Sequence, residues 1–298
     1  MMGSIFHIQT NTISLEERTF ENVIARGQQI EKEITTYHDQ SDIMQVHHAA
    51  PNAVKVGKDA LHLIKISLDF MHESKGYFNP LLFPLTKYWR NPDLVKELAP
   101  DEIEVLQPLF NPHNVEINGD QVRFLAKGMG FDFGGIGKGY ALDRMKGILQ
   151  SYPKVCGILT LGRQVQVFGK CFRRKSAAFA VVSPNEPTKI IGKISISSGS
   201  IATSNQNEQF KHINGVRYGH IIDPMLFQPS TNTASAIVWA GSAIEADMWS
   251  TVMFLLGPQK GLQWLAQKKL DLGVLWLGQQ GVVAISPQMV KKFTEIGP

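Results

Sequence analysis

DFGGIGKGYALD, residues 132–143, places Gly134, Gly135, Gly137 and Gly139 within six positions, with Lys138 among them and a helix-like run behind. A glycine-rich segment that opens a helix offers backbone N–H groups and the positive end of the helix dipole to a phosphate. The two common nucleotide motifs do not fit. Gly135, Gly137 and Gly139 give G-x-G-x-G rather than G-x-G-x-x-G, and the acidic residue expected about 20 positions later at a strand end is missing. In the phosphate-cradle pattern Ser or Thr follows the lysine; here Gly139 does. Two explanations stay open. One is a tight strand-to-helix turn that needs glycine conformations. The other is a phosphate held by backbone N–H groups, with Lys138 as counter-charge.

The rest of the chain limits the choice. Its 298 residues are enough for a sizeable core, and 43% hydrophobic with 19% charged residues is ordinary for a globular protein. The formal charge of +4 comes with no dense basic stripe carrying interleaved aromatics, so nucleic acid is not an expected partner. The longest basic cluster, KCFRRK (170–175), reads as a solvated loop or hairpin. The two cysteines, Cys156 and Cys171, have no metal spacing and are too few for a disulfide framework, so free thiols are expected. No apolar stretch approaches the ~20 residues of a membrane span. MMGSIFHIQT lacks the basic and apolar regions of an export signal. As the chain stands the expected location is cytoplasmic; the alternative is a periplasmic or inner-membrane lipoprotein whose leader is removed.

Periodicity supplies the elements. A short strand is expected within residues 2–9. Ser14 and Glu17 form a capping box ahead of a helix carrying Phe20, Val23, Ile24, Ile30 and Ile34. A second helix is expected from about Val56 to Ser74, with Leu61, Ile64, Leu68 and Met71 on one face and Gly76 at its end. Residues 77–92, rich in proline and aromatics, read as loop and turns. Asn118-Gly119 centres a hairpin over 115–124. After the glycine-rich segment come a helix to about Tyr152 and strands near 155–161, 164–168, 178–183 and 192–197. A polar stretch, 205–214, precedes a strand at 234–240. A second capping box, Ser242 and Glu245, opens a helix to Leu256, and Pro258 starts another. Segments 272–277 and 281–285 close the chain as a hairpin. Without strict βαβ alternation, α+β is favoured over a doubly wound sheet.

Two further segments carry chemistry. In SAIEADMWSTVMFLLG (242–257), Asp247 and Thr251 are four apart on a capped helix and share a face. Carboxylate and hydroxyl are hard oxygen donors suited to Mg²⁺. The neighbours are strongly apolar, so Asp247 lies near a buried face, where an unpaired carboxylate is costly. In GHIIDP (219–224), a histidine precedes an aspartate by three and could serve acid–base chemistry or be structural.

Together these segments resemble the ApbE family, the FAD:protein FMN transferases. The family pattern D-[LF]-G-G-I-A-K-G-Y-A-V-D, A-T-S-G, H-I-I-D-P and E-A-D-x-x-[AS]-T is met in order by DFGGIGKGYALD (132–143), IATSN (201–205), HIIDP (220–224) and EADMWST (245–251). Met2-Gly3-Ser4, TYHDQSDI (36–43) and SKGYFNP (74–80) echo three more family segments. The resemblance implies one α+β domain of the T-fold type over residues 1–298, with a mixed sheet and flanking helices. It implies cleavage of FAD, attachment of FMN through a phosphoester to a Thr or Ser of an acceptor flavoprotein, and release of AMP. By the same carry-over Mg²⁺ is held by the Gly135 carbonyl with Asp247 and Thr251, Lys138 faces FAD, and His220 takes the proton of the acceptor hydroxyl. Tyr37, Tyr77, Phe78, Asn79, Asp132 and Ile222 line the flavin nucleotide, with Met2 at the edge.

The chain departs from the family at His47 (Asn in the family), Asn79 (Asp), Asn205 (Gly), Met225-Leu226-Phe227 (usually R-T-G) and Arg163-Gln164 (G-N). Chemistry is expected to be intact and substrate handling altered. Two other activities use the same residues: an FAD pyrophosphatase in which water replaces the acceptor, and a divergent homologue that only binds FAD. Retention of Lys138, His220, Asp247 and Thr251 favours an enzyme.

Overall fold

SAIVWA and GVLWLG are nearly unbroken apolar runs, the pattern of strands covered on both faces, and they pair at the heart of the structure. The computed structural model of the chain describes residues 1–11, 15–91, 93–94, 96–170, 176–186, 188–206, 210–213, 215–230, 234–279 and 281–296. The chain forms two compact units: Met1–Gln28, Lys138–Asn207 and Asn232–Pro298 make the first, and Gln29–Gly137 with Glu208–Thr231 the second.

The first unit is built on a seven-stranded sheet. Its order is Phe6–Thr10, Gly157–Leu161, Gln164–Phe168, Gly199–Asn205, Ser235–Ala240, Gly273–Gly278 and Gly281–Ile285. The sheet expected to be mixed is antiparallel in its described pairings, and the α+β class holds. Side chains alternate across it as the pleat requires. Leu275 and Leu277 join Val167, Ile201 and Ile237 in a core shared with Val181 and Ile194 of a second, three-stranded sheet. Trp276 points the other way, fully buried, and its indole N–H donates to the Met253 carbonyl at 2.8 Å. Met253 belongs to the helical segment Ala243–Lys268, which is interrupted at Gly257 (φ 67°, ψ −179°). The break falls where Pro258 was expected to open a new helix.

The second unit carries helices Asp42–Ala49, Lys58–Glu73, Phe83–Arg90 and Pro100–Leu106 around a small sheet of Val54–Lys55, Gln121–Phe124 and Val115–Asn118. The Asn118-Gly119 hairpin forms, with Gly119 at φ 62°. Leu85, Trp89, Phe110, Ile213, Tyr218 and Ile222 make one core.

Several expectations are corrected. Residues 83–90, read as loop, form a helix, because Pro84 sits in its first turn, where no N–H is needed, and Leu85 and Trp89 bury one face. The buried face of Lys58–Glu73 is Ala60, Leu63, Ile64, Ser67 and Phe70; Leu61, Leu68 and Met71 are only half-buried. Gly199–Asn205, which was not expected as a strand, lies between two central strands. Cys156 is disulfide-bonded rather than free; Cys171, most of the basic cluster and the capping residue Ser14 lie outside the described residues. The helix that Ser14 was to cap runs over Glu17–Ile34, with Val23 and Ile30 fully buried. Among the described residues no helix is long and apolar enough to cross a membrane.

Trp276→Phe keeps the ring packing but removes the indole donor to Met253. The expected cost is about 1–3 kcal/mol, the penalty of stripping a partner from a buried polar group, read as a lower midpoint in denaturant melts.

Candidate functional site

A helix leaves its first N–H groups without intrahelical partners. In the first unit two helix N-termini meet this need reciprocally. Gly139, in the first turn of Gly137–Gln150, donates its N–H to Asp247 Oδ2 at 2.9 Å in a buried contact. Ile244, in the first turn of Ala243–Lys268, donates to Asp143 Oδ2 at 2.9 Å. Each helix thus lends a carboxylate to the start of the other. Asp143 Oδ1 also accepts from Lys146 at 2.8 Å and from Gln166 Nε2 at 2.6 Å, tying both helices to the strand Gln164–Phe168. Gln164 Nε2 donates to the Ala243 carbonyl at 2.5 Å. The capping box also forms: Ser242 Oγ accepts the Glu245 N–H and Glu245 Oε2 accepts the Ser242 N–H, both at 3.3 Å.

This crossing corrects the turn explanation of the glycines. Gly134, Gly137 and Gly139 are not among the residues with positive φ. A Cβ on Gly139 would instead overlap the Ala243 carbonyl oxygen and stand 2.7 Å from Ile244 Cα. The glycine is required by close approach of two backbones, not by a left-handed conformation.

Asp247 is 6% exposed. Burial pushes its carboxyl above the usual range, while the Lys138 ammonium and the Gly139 N–H pull it back. Thr251, one turn on, is half-buried. Ser250 between them bonds to Ser204 Oγ at 2.8 Å, which fixes the IATSN strand against this helix. Among the described residues no cluster of three His, Cys, Asp or Glu is gathered for a metal. The donors at hand, one carboxylate and one hydroxyl, are hard oxygens. They fit Mg²⁺, which takes one or two carboxylates and completes its shell with water and phosphate oxygens. A cation there would offset the cost of the buried Asp247 charge.

The other expected residues lie mostly in the second unit. Asp132 donates its backbone N–H to the Pro80 carbonyl at 2.8 Å, joining the glycine-rich segment to SKGYFNP. Asn79 Oδ1 accepts the Leu81 N–H at 2.8 Å and its amide donates to the Phe110 carbonyl at 3.3 Å. Phe78 is 4% exposed with its ring against Phe70, and Ile222 belongs to the core. Tyr77 is half-buried and Gly135 likewise; His220 and Tyr37 are exposed. Met2, at φ 49°, and Lys138 are half-buried in the first unit. His47 donates Nδ1–H to the Met129 carbonyl at 2.5 Å, and burial pushes its imidazole below the usual range. Asp143, Gln166 and the Ser204–Ser250 pair were not singled out, and Gln164 was noted only as a departure from the family pattern. Apart from Lys146, three residues from Asp143, the partners named above lie 23 to 101 residues away in sequence, and only the closing D of the 132–143 segment hinted at them.

The chain matches the ApbE family over residues 2–276 and belongs to it. It is 26% identical over 300 residues to an FAD:protein FMN transferase of Klebsiella pneumoniae, covering 98% of this chain and 92% of the relative. It is 27% identical over 266 residues to one of Treponema pallidum, covering 80% and 72%. The fold is that of the ApbE protein of Thermotoga maritima, with a TM-score of 0.87 at 24% identity over 98% of this chain and 96% of that one. The Pseudomonas stutzeri flavinyl transferase ApbE aligns with a TM-score of 0.79 at 21% identity, over 97% of both chains.

Two outcomes are expected. Gly139→Ala forces the helix starts apart and lowers stability by about 1–3 kcal/mol, as overpacking does, measured by denaturant melts. Asp247 has a folded pKa above its unfolded one, so the metal-free fold binds its proton more tightly. Stability is therefore complete below the ordinary aspartate range and falls as pH rises through the window above it. Asp247→Asn removes that loss. In chelator it should melt higher than wild type at neutral pH and show a flatter pH profile.

Proposed function

We propose that this chain is an Mg²⁺-dependent FAD:protein FMN transferase, residues 1–298 acting as one ApbE-type domain. The observation that carries this is the reciprocal capping at Gly139 and Ile244. It gathers two helix N-termini, the Lys138 ammonium and the Asp247 carboxylate, a setting matched to a pyrophosphate and its cation. The relatives' name and the family match support the same activity.

In this reading Asp247 and Thr251, with the Gly135 carbonyl expected from the resemblance, hold the ion. Bound Mg²⁺ would neutralise charge on the pyrophosphate oxygens as the bridging bond breaks. Lys138 binds and orients the FAD phosphates. Tyr37, Tyr77, Phe78, Asn79, Asp132 and Ile222 line the nucleotide, with Met2 at the edge. His220 accepts the proton of the acceptor's Thr or Ser hydroxyl as its oxygen attacks the FMN phosphorus. The new P–O bond is the phosphoester, the old one to the second phosphate breaks, and AMP leaves. Half-buried Asp143 and buried Gly139 hold the geometry in which Asp247 acts.

The test is to incubate the protein with FAD, Mg²⁺ and a peptide bearing D-G-x-[ST]-G-A-[ST], and to weigh the products. The peptide should gain one FMN, with AMP in equal amount, and chelation should stop the reaction. His220→Ala should slow transfer at least ~100-fold, the lower range for losing a general base. FMN and AMP without labelled peptide would make the protein a pyrophosphatase, and unchanged FAD would end the enzymatic proposal.

A further inference from the structure

Arg90 has no place in the motifs, yet it touches two of the residues expected to line the flavin. It is the last residue of the helix Phe83–Arg90, where a cation complements the helix dipole. Its guanidinium carbon stands 5.5 Å from the centre of the Tyr37 ring, within cation–π range. Its Nη2 lies 3.6 Å from Asp132 Oδ2. The other Asp132 oxygen accepts the Gly134 N–H at 2.8 Å. A line of contacts thus runs from the glycine-rich segment through Asp132 and Arg90 to Tyr37, all within the second unit.

Two features give this line a purpose. Tyr37 is 73% exposed, so the guanidinium constrains an aromatic side chain that has almost no packing of its own. The helix end that carries Arg90 is anchored beside it: Trp89 is buried, and its indole N–H donates to the Phe227 carbonyl at 3.1 Å. An exposed aromatic ring constrained in this way is a plate for a planar partner.

We propose that Arg90 is a positioning residue that sets the Tyr37 ring to stack on the isoalloxazine of FAD. This rests on the proposed flavin transferase activity and adds a residue to it. Holding the ring in advance spares part of the ordering cost that binding otherwise incurs. The guanidinium plane also matters, since stacking over a ring is not reproduced in full by an ammonium.

The experiment titrates FMN into the protein and follows flavin fluorescence, then measures KM and kcat for FAD in peptide labelling. Wild type should quench FMN. Arg90→Ala should weaken FMN binding about 3–10-fold, the scale of releasing one side chain held in advance, and should raise KM for FAD more than it lowers kcat. Arg90→Lys should recover part of the affinity. Tyr37→Ala should match Arg90→Ala, and the double variant should lose little more, as expected of two residues acting as a unit. Unchanged FMN affinity in Arg90→Ala, additive losses, or competition by AMP but not by riboflavin would overturn the proposal for Arg90. A wild-type protein that neither quenches FMN nor consumes FAD would overturn the functional reading instead. Should Arg90→Ala melt far below wild type, Arg90→Gln, which keeps much of the side-chain bulk and removes the charge, takes its place in the same comparison and in the double variant with Tyr37→Ala.

Discussion

The exchange of carboxylates between two helix starts is the constraint on which the candidate site depends. Asp247 satisfies Gly139, and Asp143 satisfies Ile244. Neither helix can be moved without stranding a buried N–H, and a buried unpaired donor costs about 1–3 kcal/mol. The absence of a side chain at Gly139 lets the two backbones approach closely enough for both bonds. Gln166 and Lys146 then hold Asp143, and Gln164 holds the Ala243 carbonyl. The consequence is electrostatic. Both helix starts are met by a carboxylate, and the Lys138 ammonium and the Gly139 N–H favour the charged form of Asp247 against burial that raises its pKa.

Much of the fold was legible where one local signal was enough. Ser242 and Glu245 announced a helix start, Pro258 a restart, and Asn118-Gly119 a turn, and all three formed. Signals failed where tertiary packing overrode composition. Proline and aromatics in 77–92 read as loop, yet Trp89 and Leu85 needed a buried face and obtained it as a helix. The apolar face of Lys58–Glu73 turned by one position, because Ala60 and Ser67 are small enough to lie deepest. Gly199–Asn205 was hidden by its small polar residues, which pair with Ser250 and neighbouring strands rather than forming an apolar run.

The candidate site was legible only as residue types. Asp247 and Thr251 could be placed on one helix face, and the apolar neighbours implied burial of the aspartate, which the structure bears out. Why the glycines were needed could not be read, because the contact that forbids a side chain at 139 comes from Ala243 and Ile244, over a hundred residues away. Arg90 was invisible for the same reason: its meaning lies in Tyr37 and Asp132, far apart in sequence.

Two of the departures from the family pattern in the second unit, Asn79 and Phe227, are linked. Asn79 uses both ends of its amide, one toward Leu81 and one toward the Phe110 carbonyl; an aspartate could make only the first bond. Phe110 lies 5.6 Å from the ring of Phe227, another departure. The Phe227 carbonyl in turn accepts from Trp89, beside Arg90. Asn79, Phe227 and Arg90 are thus joined through Phe110 and Trp89 into one contact chain. Substitutions that satisfy one another in this way leave a packed, hydrogen-bonded wall rather than orphaned groups. Met225 and Leu226, held exposed on that wall at 48% and 51%, give it an apolar surface in place of the family's usual arginine and threonine. That linkage shows substitutions accommodated together by hydrogen bonding and ring packing, rather than singly.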